Sequence, residues 1–129
     1  MGRLENGEWV TAPAEAAGAD GSFVRQGSVW RSWVTPDGAP GPSGEGGFPA
    51  ASGRYHLYVS LACPWAHRTL ILRAVKNLAP HIGVSVVHSD MLEDGWSFAD
   101  QEAGAFGRTG DALFGKRFLR EIYIEADPN

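Results

Sequence analysis

Between Arg54 and Leu78 the hydrophobic pattern changes period. Tyr55, Leu57 and Val59 alternate with His56, Tyr58 and Ser60, the two-residue period and aromatic, β-branched content of a strand. Leu61-Ala62 predicts a turn. From Cys63 the apolar positions recur at helical spacing. Advanced by about 100° per residue, Cys63, His67, Leu70, Ile71, Ala74, Val75 and Leu78 share one arc. Thr69, Arg73, Lys76 and Asn77 take the other side, which predicts an amphipathic helix with its cysteine at the tip of the buried face. Trp65 and Leu72 lie off that arc and read as a contact with a second layer or with another domain. Alternation returns at 81–88, with Ile82, Val84 and Val86 on one face. Strand, helix and strand over about thirty residues predict a βαβ unit, with parallel strands and a right-handed crossover.

The flanks carry weaker patterns. Residues 1–53 are rich in Gly, Pro, Ala and Ser, most of all in Thr35–Gly47, which is turn and loop chemistry. Trp9, Phe23, Val24, Trp30, Trp33 and Phe48 argue against disorder. The expectation is an irregular N-terminal arm, 1–53, pinned by its aromatics to the remainder, 54–129, or to a partner subunit. Residues 99–115 are weakly patterned. In 116–126, Phe118, Leu119, Ile122, Tyr123 and Ala126 predict a short helix that stops at Asp127-Pro128.

Composition narrows the function classes. The chain has 129 residues, 43% hydrophobic and 20% charged, with a net charge of -4. That balance points away from nucleic acid and anionic membranes as partners. No apolar run has the length of a leader or a membrane span. The single cysteine leaves no intrachain disulfide and fits a reducing, cytoplasmic compartment.

Candidate chemistry centres on that cysteine. Pro64 suits the first helical position, because its missing N–H would have no partner there. Cys63 then sits at the cap, where free N–H groups and the positive dipole end converge. Thiols so placed ionise more readily than free ones. A lone cysteine is otherwise most often a small buried hydrophobe. Its place here, after a strand and before Pro64, is the arrangement of thioredoxin-like proteins. The position three residues on is Ala66, not a second cysteine, so a redox cycle needs an external thiol, glutathione being the obvious one. Ligands of open parallel sheets gather at the carboxyl ends of the strands, the edge shared by Cys63 and the segment Ser89–Phe98. There Trp96, after Gly95, reads either as a stacking surface for a flat ligand or as a plug between loop and core. His67, in line with Cys63, reads as a packed helix residue. Cys63 and the four histidines fit no standard zinc spacing, so no metal is expected.

The run GRYHLYVSLACPWAHRTLILRAVKNL, followed by SVVHSDMLEDGWSF, resembles the glutathionyl-hydroquinone reductases, the xi-class glutathione transferases. FVRQGSVWRSWVTPDG, GGFPA and LREIYIEADPN fit the same family, so the resemblance runs from about Phe23 to Asn129. It implies an α/β fold: a partial thioredoxin-like domain, one βαβ unit behind the irregular arm. It implies Cys63 as nucleophile, Pro64 and Trp65 as its motif neighbours, and Trp96 as a glutathione contact. Glutathione is the implied co-substrate, glutathionylated hydroquinones the substrate, and a cytosolic homodimer the working form. Family chains continue past this point into the cis-proline segment, further strands and a helical domain. The resemblance therefore implies that these residues alone are an inactive part of the enzyme. The alternatives are an omega-like glutathione transferase or thiol transferase, and a non-catalytic binding or regulatory fragment.

Overall fold

The computed structural model describes residues 2–11, 20–22, 30–43, 45–99 and 107–128. Its centre is the predicted βαβ unit. Strand β5 (Tyr55–Ser60), helix α1 (Pro64–Val75) and strand β6 (Ile82–Val87) follow in order. The strands pair in parallel, from Tyr55 opposite Ile82 to Ser60 opposite Val87. Helix α1 ends where Asn77 takes a left-handed φ of 52°. Leu78 N donates to Arg73 O and Asn77 N to Ala74 O, the paired bonds of a Schellman motif with Asn in the place glycine often holds.

The core lies on the face of the sheet that looked the more polar. His56, Tyr58 and Ser60 share it with Ser85 and Val87. Val59 is buried on the opposite face, and Ser85, Val87, Ser60 and Phe98 are buried on this one. Residues 96–99 and 107–118 cover this face. Phe98 meets the Tyr58 ring edge-on at 5.7 Å between centroids, and the Tyr58 hydroxyl donates to Asp111 Oδ1 at 3.0 Å. Burial, the hydrogen bond to Asp111 and its negative charge all raise the Tyr58 pKa above its ordinary value. The phenol stays a donor. The same segment closes the outer edge of β6. Thr109 N donates to Val86 O, and Val86 N donates to Thr109 Oγ1, both at 2.8 Å.

Helix α1 departs from the expected arc. None of its residues is buried. The half-buried stripe is Cys63, Ala66, Leu70 and Arg73, whereas Ile71 and Val75 are 51% and 70% exposed. The arc has turned because Arg73, assigned to the polar side, reaches inward. Its Nε donates to Ile82 O at 2.7 Å and its terminal nitrogen to Ala79 O at 3.1 Å. Two hydrogen bonds to carbonyls at the entry to β6 turn the helix at the expense of exposing two aliphatic side chains.

The arm is not without regular elements, which corrects that expectation. Strands β1 (Gly2–Glu5) and β2 (Glu8–Thr11) form an antiparallel hairpin. Its turn residues Asn6 and Gly7 have φ of 51° and 78°, the two left-handed positions of a tight type I′ turn that Asn-Gly favours. Strands β3 (Trp33–Thr35) and β4 (Gly47–Pro49) pair in parallel. The aromatics do pin the arm where the chain is described. Trp9 Nε1 donates to Glu93 O at 3.0 Å, the Arg120 guanidinium lies 5.3 Å from the Trp9 ring, and the Tyr55 hydroxyl donates to Pro49 O. Trp30 faces Tyr123 at 6.3 Å, although Trp30, Trp33 and Phe48 stay about half-exposed. Phe23 and Val24 lie outside the described residues.

Helix α2 (Leu119–Ala126) starts three residues later than the periodicity predicts. Glu121 explains the start. Its Oε2 accepts from Phe118 N at 2.7 Å and Arg117 N at 3.0 Å, which satisfies two N–H groups just ahead of the helix.

Candidate active site

Cys63 occupies the helix N-cap, with φ -87° and ψ 113° in the extended region, and Pro64 follows as the first helical residue. Its own N–H donates to Ser60 O at 3.1 Å, and its carbonyl accepts from His67 N at 3.1 Å. The thiol is half-buried. Strand β5 delivers it to the carboxyl edge of the sheet, and the first turn of α1 points its N–H groups there. A negative sulfur at this position faces the positive end of the helix dipole.

The neighbours divide. Pro64 and Trp65 are exposed, and Arg68 places its guanidinium 4.6 Å from the Trp65 ring. His67 is exposed, joined to Cys63 through the backbone. Trp96 is half-buried and follows Gly95, which is buried with a φ of 84°. A side chain at Gly95 would meet the Trp9 ring at 3.0 Å, so both the turn and the close indole require glycine. Trp96 lines a cavity of about 200 Å³ with Trp9, Leu119, Arg120 and Tyr123. None of these walls comes from the Cys63 turn. The structure thus sets Trp96, half-buried, at the expected sheet edge, beside the hairpin and α2.

Sequence reasoning missed the residue that knits this edge together. Ser60, the last residue of β5, is 5% exposed. Its Oγ accepts from Ala62 N and donates to His88 O, both at 3.3 Å. His88 N in turn donates to Ser97 O at 2.9 Å. The only sequence signal was a small polar residue closing an otherwise apolar strand. His88 Nδ1 accepts from Asp90 N at 3.0 Å. Among the described residues no three His, Cys, Asp or Glu side chains gather as a metal site would need, and no helix is long and apolar enough to cross a membrane.

No family model matches the chain. It is 54% identical over all 129 residues to glutathionyl-hydroquinone reductase YqjG of Escherichia coli K12, covering 38% of that relative's length. Among solved structures, the xi-class glutathione transferase of Natrialba magadii aligns over the full chain at 41% identity and TM-score 0.76, the chain covering 35% of it. Glutathione-bound YqjG aligns over 74% of the chain at 60% identity and TM-score 0.68, with 30% of its own length covered. The chain thus spans under two fifths of the relatives it matches. In sequence and in its thioredoxin-like α/β fold the chain is similar to the N-terminal part of the glutathionyl-hydroquinone reductases, the xi class of glutathione transferases and a family of glutathione-dependent enzymes.

Proposed function

We propose that Cys63 is the nucleophile through which the whole protein reduces glutathionyl-hydroquinones with glutathione. The observation that carries this reading is the sole cysteine capping α1 ahead of Pro64, in a chain 54% identical to a relative named for that activity. The Cys63 thiolate attacks the glutathionyl sulfur of the substrate. The sulfur–ring carbon bond breaks, its electron pair passes to the ring carbon, and that carbon takes a proton to give the hydroquinone. Cys63 then holds a mixed disulfide with glutathione. A second glutathione thiolate attacks the glutathionyl sulfur of that disulfide, releasing oxidised glutathione and the Cys63 thiolate. Ala66 stands where a resolving thiol would be, so the second step draws on external glutathione.

Pro64 and Trp65 shape the approach to the thiol, and Trp96 supplies an aromatic surface for glutathione at the same sheet edge. The arm, 1–53, and the thioredoxin-like portion, 54–129, are two parts of each subunit, and the whole protein works as a homodimer in the cytoplasm, where reduced glutathione is abundant. The test is Cys63→Ser in the whole protein, assayed for hydroquinone release and for the mass of the glutathione adduct on this peptide. Turnover and adduct should both vanish. Full turnover in Cys63→Ser would remove Cys63 from the mechanism.

A further inference from the structure

The thiol and the indole that the proposed function uses sit on different loops, and one buried hydroxyl joins them. Ser60 holds the Cys63 turn twice: its carbonyl accepts from Cys63 N at 3.1 Å, and its Oγ accepts from Ala62 N at 3.3 Å. The hydroxyl proton goes the other way, to His88 O at 3.3 Å. His88 N donates to Ser97 O, beside Trp96. A hydroxyl has one proton to give and lone pairs to accept with, so Ser60, only 5% exposed, can make both part-buried bonds at once.

We infer that Ser60 is a positioning residue: its hydroxyl fixes the register of the Cys63 turn against the end of β6 and, through His88, against the Trp96 loop. This rests on Cys63 being the nucleophile. The backbone bond from Cys63 N to Ser60 O survives any side-chain change at 60, so the turn itself persists without the hydroxyl. What is lost is its anchorage. Ala62 N and His88 O each lose this part-buried partner, and the two loops are free to move apart. Displacement sulfur-to-sulfur needs the attacking and leaving atoms in line, so small shifts at the nucleophile slow the step more than they weaken binding.

The test uses the whole protein with Ser60→Ala, Ser60→Thr and Cys63→Ser, all measured well below the unfolding midpoint of each variant. Ser60→Ala should lower kcat about five- to tenfold, the equivalent of one lost hydrogen bond, with KM for glutathione within about twofold. Alkylation of Cys63 by iodoacetamide, a small reagent that needs no fixed approach, should change far less than kcat. Ser60→Thr keeps the hydroxyl and should restore kcat. If Cys63→Ser is inactive while Ser60→Ala turns over like wild type, the positioning role is overturned and the nucleophile stands. If Cys63→Ser stays active, both fall. Should Ser60→Ala not fold, the threonine variant decides: preserved kcat upholds the role, and a folded threonine variant with kcat lowered more than about fivefold overturns it.

Discussion

Asp111 is the knot of the segment that covers the sheet, and its removal has a calculable cost. Its Oδ1 accepts from the Tyr58 hydroxyl and Leu113 N, both at 3.0 Å, and its Oδ2 from Phe114 N at 3.2 Å and Lys116 N at 3.0 Å. The bonds from Tyr58 and Lys116 are part-buried, and each such bond to a carboxylate contributes on the order of 1 kcal/mol. The other two are exposed, where water replaces the acceptor and a few tenths of a kcal/mol each is lost. Asp111→Ala should therefore destabilise by about 2–3 kcal/mol. Burial works against the carboxylate's charge, but the donors outweigh it and hold its pKa below the ordinary 3.8. The sign follows: the stabilisation is present above the unfolded carboxyl's value and is lost as pH falls through the lower folded value. Urea unfolding of the whole protein near neutral pH, followed by tryptophan fluorescence, measures the loss. Tyr58→Phe alone should cost about 1 kcal/mol, and the double variant less than the sum, because the two share a bond. A loss under about 0.5 kcal/mol for Asp111→Ala would refute the view that this carboxylate organises the segment.

Other outcomes follow from the same geometry. Ala66→Cys puts a second thiol one helical turn from Cys63; under oxidising conditions the pair should close to a disulfide, seen as a loss of two protons by mass, and absence of that species would show the geometry unsuited to dithiol chemistry. Burial lowers the His56 pKa below its ordinary 6.5, opposed by the Asp111 charge and aided by Arg73, so its contribution is present above about pH 6.5 and declines as pH falls below it, when the unfolded chain takes up a proton the folded one refuses. Comparing urea midpoints at about pH 7.5 and about pH 5.5, His56→Gln should show a smaller decline than wild type, and equal declines would dismiss the effect. Expressed alone, residues 1–129 expose Trp65, Ile71, Leu72 and Val75 on α1, and β5 pairs only with β6 among the described residues; sizing should show association and the assay no turnover, whereas an active, monodisperse monomer would contradict this.

Local chemistry made much of this protein legible from its residues. The alternation in Tyr55–Ser60, the Cys63-Pro64 helix entry and the return of alternation at Ile82 each rest on neighbours within a few positions. The βαβ unit and the capping place of Cys63 could therefore be read directly. Asn6-Gly7 was equally local, since two left-handed residues make a hairpin turn, but glycine-rich surroundings masked it. Contacts across the chain decided the rest. Periodicity could say that α1 has two faces, yet Arg73 turns inward only because the Ile82 and Ala79 carbonyls lie within its reach. Alternation could separate His56, Tyr58 and Ser60 from their apolar neighbours. It could not foresee that Asp111, Ser85 and His88 O would supply partners and make the polar face the buried one. A polar group is buried where its hydrogen bonds are met, and whether they are met depends on residues 28 to 53 positions away, which no short-range pattern encodes.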